Sequence, residues 1–143
     1  LAKDQERDGN KFNSASYGEL AKALDAYVAV KKKDGAEVPI SSVISSDLIS
    51  DILMFVEERP LLLTGLVNPQ VIRVADMVDI GGIIFVGGKK PEEGMIEMAR
   101  QKEMPLAITE RTLYGASGEL YKKGIKPCKY GGGKDLAKLS LEK

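Results

Sequence analysis

The sequence predicts an α/β fold, an open and mostly parallel sheet flanked by helices and built from consecutive βα units. Two observations carry the prediction. Leu61-Leu62-Leu63-Thr64, Ile83-Ile84-Phe85-Val86 and Leu106-Ala107-Ile108-Thr109 are short apolar runs that begin 22 and 23 residues apart, each followed by a turn and one helical pattern. Strands that are apolar on both faces and joined by helices belong in a parallel sheet covered on both sides. With 143 residues, 43% of them hydrophobic, the chain has material for one sizeable core. One domain is therefore expected over residues 15–127, after a mobile polar lead-in (1–14) and before a Gly-linked tail (128–143).

The elements announce themselves in order. Residues 1–13 carry only Leu1, Ala2 and Phe12 as apolar anchors. Ser16 stands three residues before Glu19, the spacing of a capping box, so a short helix is predicted from Tyr17 to about Asp25. Ala26 to Val30 reads as a strand, Lys31 to Gly35 as a charged turn, and Val38 to Ile44 as a further strand. Pro39 places that strand at an edge or marks its start, because proline lacks a ladder donor. From Ser46 the period becomes helical, with Leu48, Ile49, Ile52, Leu53 and Val56 on one stripe, and a helix is predicted up to Arg59 and Pro60.

Within the repeat, Asn68 can cap a helix that has Pro69 at its first position. Pro91, Glu92 and Glu93 open the next on the favourable end of its dipole. Thr109 or Thr112 can cap the last, and Gly124 stops it. Gly115 and Gly118 lie inside that last helix, a cost of about 1 kcal/mol each relative to alanine that close packing on the sheet or on a second subunit would explain. Gly131-Gly132-Gly133 reads as a joint leading into a short amphipathic piece.

Composition removes several classes of function. Lys+Arg and Asp+Glu both number 21, so no global positive field favours nucleic acid or an anionic membrane. No apolar run reaches the roughly 18 to 20 residues of a membrane span. The chain has no histidine and one cysteine, Cys128. That excludes a Ser-His-Asp or Cys-His nucleophile system, a Cys/His zinc site and an internal disulfide. A soluble, cytoplasmic, non-catalytic protein is expected, with no metal site and no cofactor that the sequence names. Asp47 and Asp51, one helical turn apart, are read as a helix-dipole partner and a solvated side chain rather than as metal ligands.

The candidate ligand-binding residues are those that follow successive strands. Gly87-Gly88-Lys89-Lys90-Pro91 leaves an apolar strand and enters a helix, where bare amides can cradle an anion. A tight turn that needs glycine conformations, with two solvated lysines, accounts for the same residues. The segment matches neither G-x-x-x-x-G-K-[ST] nor G-x-G-x-x-G. Ser46 and Asp47, Thr64 and Asn68, and Thr109 hold equivalent positions after the other strands, although each is also a cap or turn residue by type. The expected site thus comprises Ser46, Asp47, Thr64, Asn68, Gly87, Gly88, Lys89 and Thr109.

Several of these stretches resemble the DRTGG-domain family. The resemblance rests on Ser46-Asp47-Leu48-Ile49-Ser50-Asp51-Ile52-Leu53 and the apolar helix after Asn68. It extends through the Ile83-Ile84 strand running into Gly87-Gly88-Lys89-Lys90-Pro91-Glu92-Glu93 to Thr109 and Leu120-Tyr121. It spans roughly Tyr17 to Ile125. Where the family's Asp-Arg-Thr-Gly-Gly stretch would fall, this chain has Glu37-Val38-Pro39-Ile40-Ser41-Ser42-Val43, so no role of that stretch carries over. The resemblance implies a dimeric α/β accessory module. It is of the kind attached to CBS-containing pyrophosphatases, whose regulatory region binds adenine nucleotides, to phosphotransacetylases, or free-standing beside redox enzymes. The serine-kinase label of some relatives, which are similar to the N-terminal domain of HPr kinase, does not transfer to a chain without a kinase phosphate loop.

Two readings follow. In one, the chain is a regulatory homodimer that binds a phosphorylated small molecule, an adenine nucleotide by resemblance, at the strand C-terminal edge. In the other it is an interaction subunit of a larger redox or phosphotransfer enzyme, without a small ligand of its own.

Overall fold

The three apolar runs lie at the centre of the sheet because neither of their faces can be left to water. A computed structural model describes residues 6–7, 10–55 and 59–129. The elements are β1 (Glu6–Arg7), β2 (Asn10–Lys11), β3 (Ala15–Ser16), α1 (Tyr17–Ala23), β4 (Tyr27–Val30), β5 (Pro39–Ile40), β6 (Ser42–Ser45), α2 (Ile49–Ile52), β7 (Leu61–Thr64), α3 (Pro69–Met77), β8 (Gly82–Phe85), α4 (Glu93–Gln101), β9 (Leu106–Ile108), α5 (Leu113–Lys122) and β10 (Lys126–Pro127). Six strands form one sheet in the order β10-β6-β7-β8-β9-β4. All are parallel except β4, which pairs antiparallel with β9. The predicted α/β class with a mostly parallel sheet is the observed one.

Alternation along the strands sorts the core into two layers. Leu62, Ile83 and Leu106 stand side by side and pack with Val71, Ile72, Ala75, Met95 and Ala99 beneath α3 and α4. Their neighbours Leu63, Ile84 and Ala107 point to the other face, against Leu20 and Leu24 of the α1 segment and Ala116 and Leu120 of α5. The chain adds β6, β7, β8 and β9 in one direction and then returns past all of them to place β10 beside β6. Right-handed crossovers require helices on opposite faces for opposite directions of travel, and α2–α4 and α5 are divided in that way.

Local signals fix most of the helix ends. The Ser16–Glu19 capping box is formed, Asn68 caps α3 through Gln70 N, and Thr112, rather than Thr109, caps α5 through Gly115 N. Tyr17 locks α1 to the sheet. Its hydroxyl donates to the Ile83 carbonyl at 2.6 Å, and its ring lies over Gly82, where a Cβ would overlap it. Burial pushes the Tyr17 phenol well above its ordinary value of 10.0.

Four local expectations are corrected. The helix predicted from Ser46 to Arg59 is reduced to the four residues of α2, with Leu48 rather than Ser46 at its cap position and no side-chain cap. Residues 56–58 lie outside the described structure. After Ile52 the helix tightens into three-residue turns, Met54 N to Asp51 O and Phe55 N to Ile52 O, so that Ile49, Ile52 and Phe55 reach the core while Leu48, Leu53 and Met54 stay exposed. The single strand expected over Val38 to Ile44 is two strands in two sheets. β5, with Pro39, pairs only with β3, and β6 enters the main sheet at an interior position. Third, Cys128, expected to open the mobile tail, is part of the fold. β10 covers the edge of β6, Cys128 N donates to Val43 O, and the Cys128 side chain is buried. Fourth, Phe12 meets Tyr121 edge-on, and Asn13 bonds to the carbonyls of Lys123 and Gly124. The mobility expected of residues 1–5, 8–9 and 130–143 lies outside the described residues. Among the described residues no helix is long and apolar enough to cross a membrane.

Candidate functional site

The loops after β6, β7, β8 and β9 converge on the C-terminal edge of the parallel strands, and there the predicted residues fall into two groups. Thr64 shares the side-chain parity of Leu62, so its hydroxyl faces the α2–α4 side. It donates to Asp47 Oδ1 at 3.2 Å, and the Gly65 amide donates to the same oxygen at 2.7 Å. Lys89 Nζ reaches across from the β8 turn to the Gly65 carbonyl at 3.2 Å. Ser46 accepts from Leu48 N and donates to Asp51 Oδ2. Asp47 therefore stands outside α2 and ties the β6 loop to the β7 loop. The helix-dipole role expected of it is replaced by this clasp.

Asn68 is not drawn into either group. Its carboxamide oxygen accepts from Gln70 N at 2.7 Å as the α3 cap.

The second group lies on the α1–α5 side. Thr109 is buried, and its hydroxyl donates to Leu24 O at 2.7 Å while accepting from Arg111 N at 3.2 Å. Gly87 and Gly88 both have positive φ, +77° and +69°, as a tight turn requires. Their amides are committed: Gly87 N donates to Arg111 O at 2.8 Å and Gly88 N to Thr109 O at 2.9 Å. The turn is zipped onto the β9–α5 loop, so the bare-amide cradle read from sequence is not what these glycines form. The tight turn is.

Between these segments lies an open cavity of about 710 Å3, lined by Leu24, Asp25, Tyr27, Gly88, Lys90, Ile108, Thr109, Glu110 and Arg111. Its position follows from topology. The connection after β8 departs to the α4 face and that after β9 to the α5 face, and the crevice opens beside the zipped turn, between the end of β9, the end of α1 and β4. Arg111 spans one wall, with Nε donating to Leu24 O at 3.3 Å and Nη2 to Asp25 Oδ2 at 2.9 Å. Tyr27 comes from β4, opposite Ile108, and is 73% exposed.

Sequence reasoning found Gly88 and Thr109 but missed Asp25, Tyr27, Lys90, Glu110 and Arg111. Lys90, Glu110 and Arg111 adjoin residues that were singled out, and the strand-end criterion extended by two positions would have included them. Asp25 and Tyr27 arrive only because β4 pairs with β9, and no local pattern announces that pairing.

A further cavity of about 540 Å3 runs along α5 beside β10, with Val43, Tyr114, Gly118, Tyr121, Ile125 and Pro127 among its walls. Gly118, expected to be a close-packing position, has nothing beyond its chain neighbours and its own helix backbone within 4 Å of where its Cβ would stand.

No protein-family model matches the chain, and no curated protein matches it. Among solved structures it is similar to the CBS and DRTGG domains of the regulatory region of Clostridium perfringens pyrophosphatase, crystallised in complex with the activator diadenosine tetraphosphate. The TM-score is 0.63 at 14% sequence identity, and the match covers 90% of this chain and 60% of that one. At that identity the likeness is one of fold.

Proposed function

We propose that this chain is a non-catalytic regulatory or accessory module of the DRTGG type that binds a phosphorylated small molecule, an adenine nucleotide, at the C-terminal edge of its sheet. The observation that carries the reading is the crevice at the C-terminal end of β9, beside the point where the connections after β8 and β9 leave for opposite faces, the region where ligands of open parallel sheets generally sit. It holds two cations, Lys90 and Arg111. The fold it shares with a regulatory region crystallised with a dinucleotide activator supports the same reading. A chain without histidine lacks the side chain most often used for proton transfer near neutral pH, in keeping with a module that senses rather than converts. The proposal places it in the cytoplasm as a homodimer.

Thermal shift with adenosine mono-, di- and triphosphate, diadenosine tetraphosphate and inorganic phosphate is the test. A nucleotide at 100 times its Kd should stabilise the fold by about 2.7 kcal/mol. No shift with any of them favours the second reading, an interaction subunit of a larger enzyme. That reading draws on the cavity along α5 and on Tyr114, which is 89% exposed.

A further inference from the structure

We infer that the crevice between β4, β8 and β9 takes a planar aromatic group carrying one phosphate, a nucleoside monophosphate, with Tyr27 under the ring and Arg111 and Lys90 on the phosphate. The inference rests on the proposed ligand-binding function and deepens it.

Three features single out this ligand class. First, the walls come from separate parts of the chain: the end of α1, β4, the β8 turn and the end of β9. Its volume is in the range of small-molecule sites, and the half-buried Ile108 adds an apolar surface. Second, Arg111 is preorganised. Its guanidinium is held by the Leu24 carbonyl and the Asp25 carboxylate through Nε and Nη2, while its side chain remains 38% exposed. Among the described residues the Nη1 donors meet no acceptor, which leaves them to an incoming anion, and a guanidinium already fixed loses little freedom on binding it. Lys90 adds a second positive charge across the cavity.

Third, Tyr27 is the one aromatic among the residues lining the crevice, and its exposed ring offers a face on which a base can stack. The four charged groups, Asp25, Glu110, Lys90 and Arg111, sum to zero. A site with that balance does not attract a polyanion by charge alone, so affinity must come from ring and phosphate together. Asp25 and Glu110 accept from ribose hydroxyls or an exocyclic amine.

Calorimetric titration of the purified chain with adenosine monophosphate, adenosine and inorganic phosphate is the test, run on wild type and on Tyr27→Ala, Tyr27→Phe, Arg111→Gln, Lys90→Ala and the remote surface variant Lys33→Ala. Expected is binding of the monophosphate at least about tenfold tighter than of either fragment. Tyr27→Ala should weaken it about tenfold, and Tyr27→Phe, which keeps the ring, by less than about threefold. Arg111→Gln and Lys90→Ala should each weaken it about tenfold, with Lys33→Ala unchanged. Arg111 also holds the end of α1, so circular dichroism accompanies that variant, and the exposed Tyr27 pair decides the matter if Arg111→Gln unfolds. Wild-type affinity in folded Tyr27→Ala and Lys90→Ala would overturn the crevice as the site and leave the function standing. No binding of the monophosphate by wild type would overturn the inference, and no shift with any nucleotide of the thermal-shift series would overturn the proposed function with it.

Discussion

At Gly88 the backbone sits at φ +69°, and the nearest atom to a Cβ there is Glu110 Cγ at 3.6 Å. A side chain fits in space but not in conformation, at a cost of about 1 to 2 kcal/mol. Gly88→Glu would also set a second carboxylate beside Glu110 in the crevice. The expected outcome is a folded, somewhat less stable protein that no longer binds nucleotide, read by titration with circular dichroism as control. Tyr17 makes a separate prediction. Its buried phenol has a folded-state pKa above the unfolded value, so the stability it provides is intact below about pH 10 and lost as pH rises through the folded value. Wild type should therefore lose stability steeply in alkaline urea titrations. Tyr17→Phe should cost about 1 kcal/mol at pH 7, the scale of a lost hydrogen bond, and show a shallower alkaline decline.

At the scale of elements, α5 combines a good cap with two interior glycines. Thr112→Ala should cost about 1 kcal/mol in urea unfolding. Gly118→Ala should instead stabilise by about 0.5 to 1 kcal/mol, since open space lies where the new methyl would go. A loss on Gly118→Ala would mean that something occupies the cavity along α5. Elements were legible in the sequence where burial is total. β7, β8 and β9 are apolar on both faces, and each of α1, α3 and α5 has a side-chain cap. The stripe after Ser46 misled because an apolar residue at helical spacing need not be buried, as Leu48, Leu53 and Met54 show. β10 was hidden because two residues with a proline have no strand pattern of their own, and only the free edge of β6 makes them one.

For the whole molecule, the site was half legible for a related reason. Strand-end residues can be read from a repeat, whereas the partners that β4 brings to Thr109 depend on the order of strands in space. The homodimer proposed above is expected in sedimentation at tens of micromolar, together with a melting temperature that rises with protein concentration. A monomer whose melting point does not move with concentration would sink the idea.

The late return of the chain to β6 also bears on synthesis. While the ribosome is still making residues beyond β9, β6 to β9 can already pair, but β6 has no outer neighbour and the Leu63, Ile84 and Ala107 face lacks α5. The nascent chain must therefore carry an apolar face that α1 alone covers, and an open strand, until Leu113 to Cys128 emerge. Products truncated before residue 113 should be targets for chaperones and proteases, and protease resistance should appear only once residues 113–128 are present.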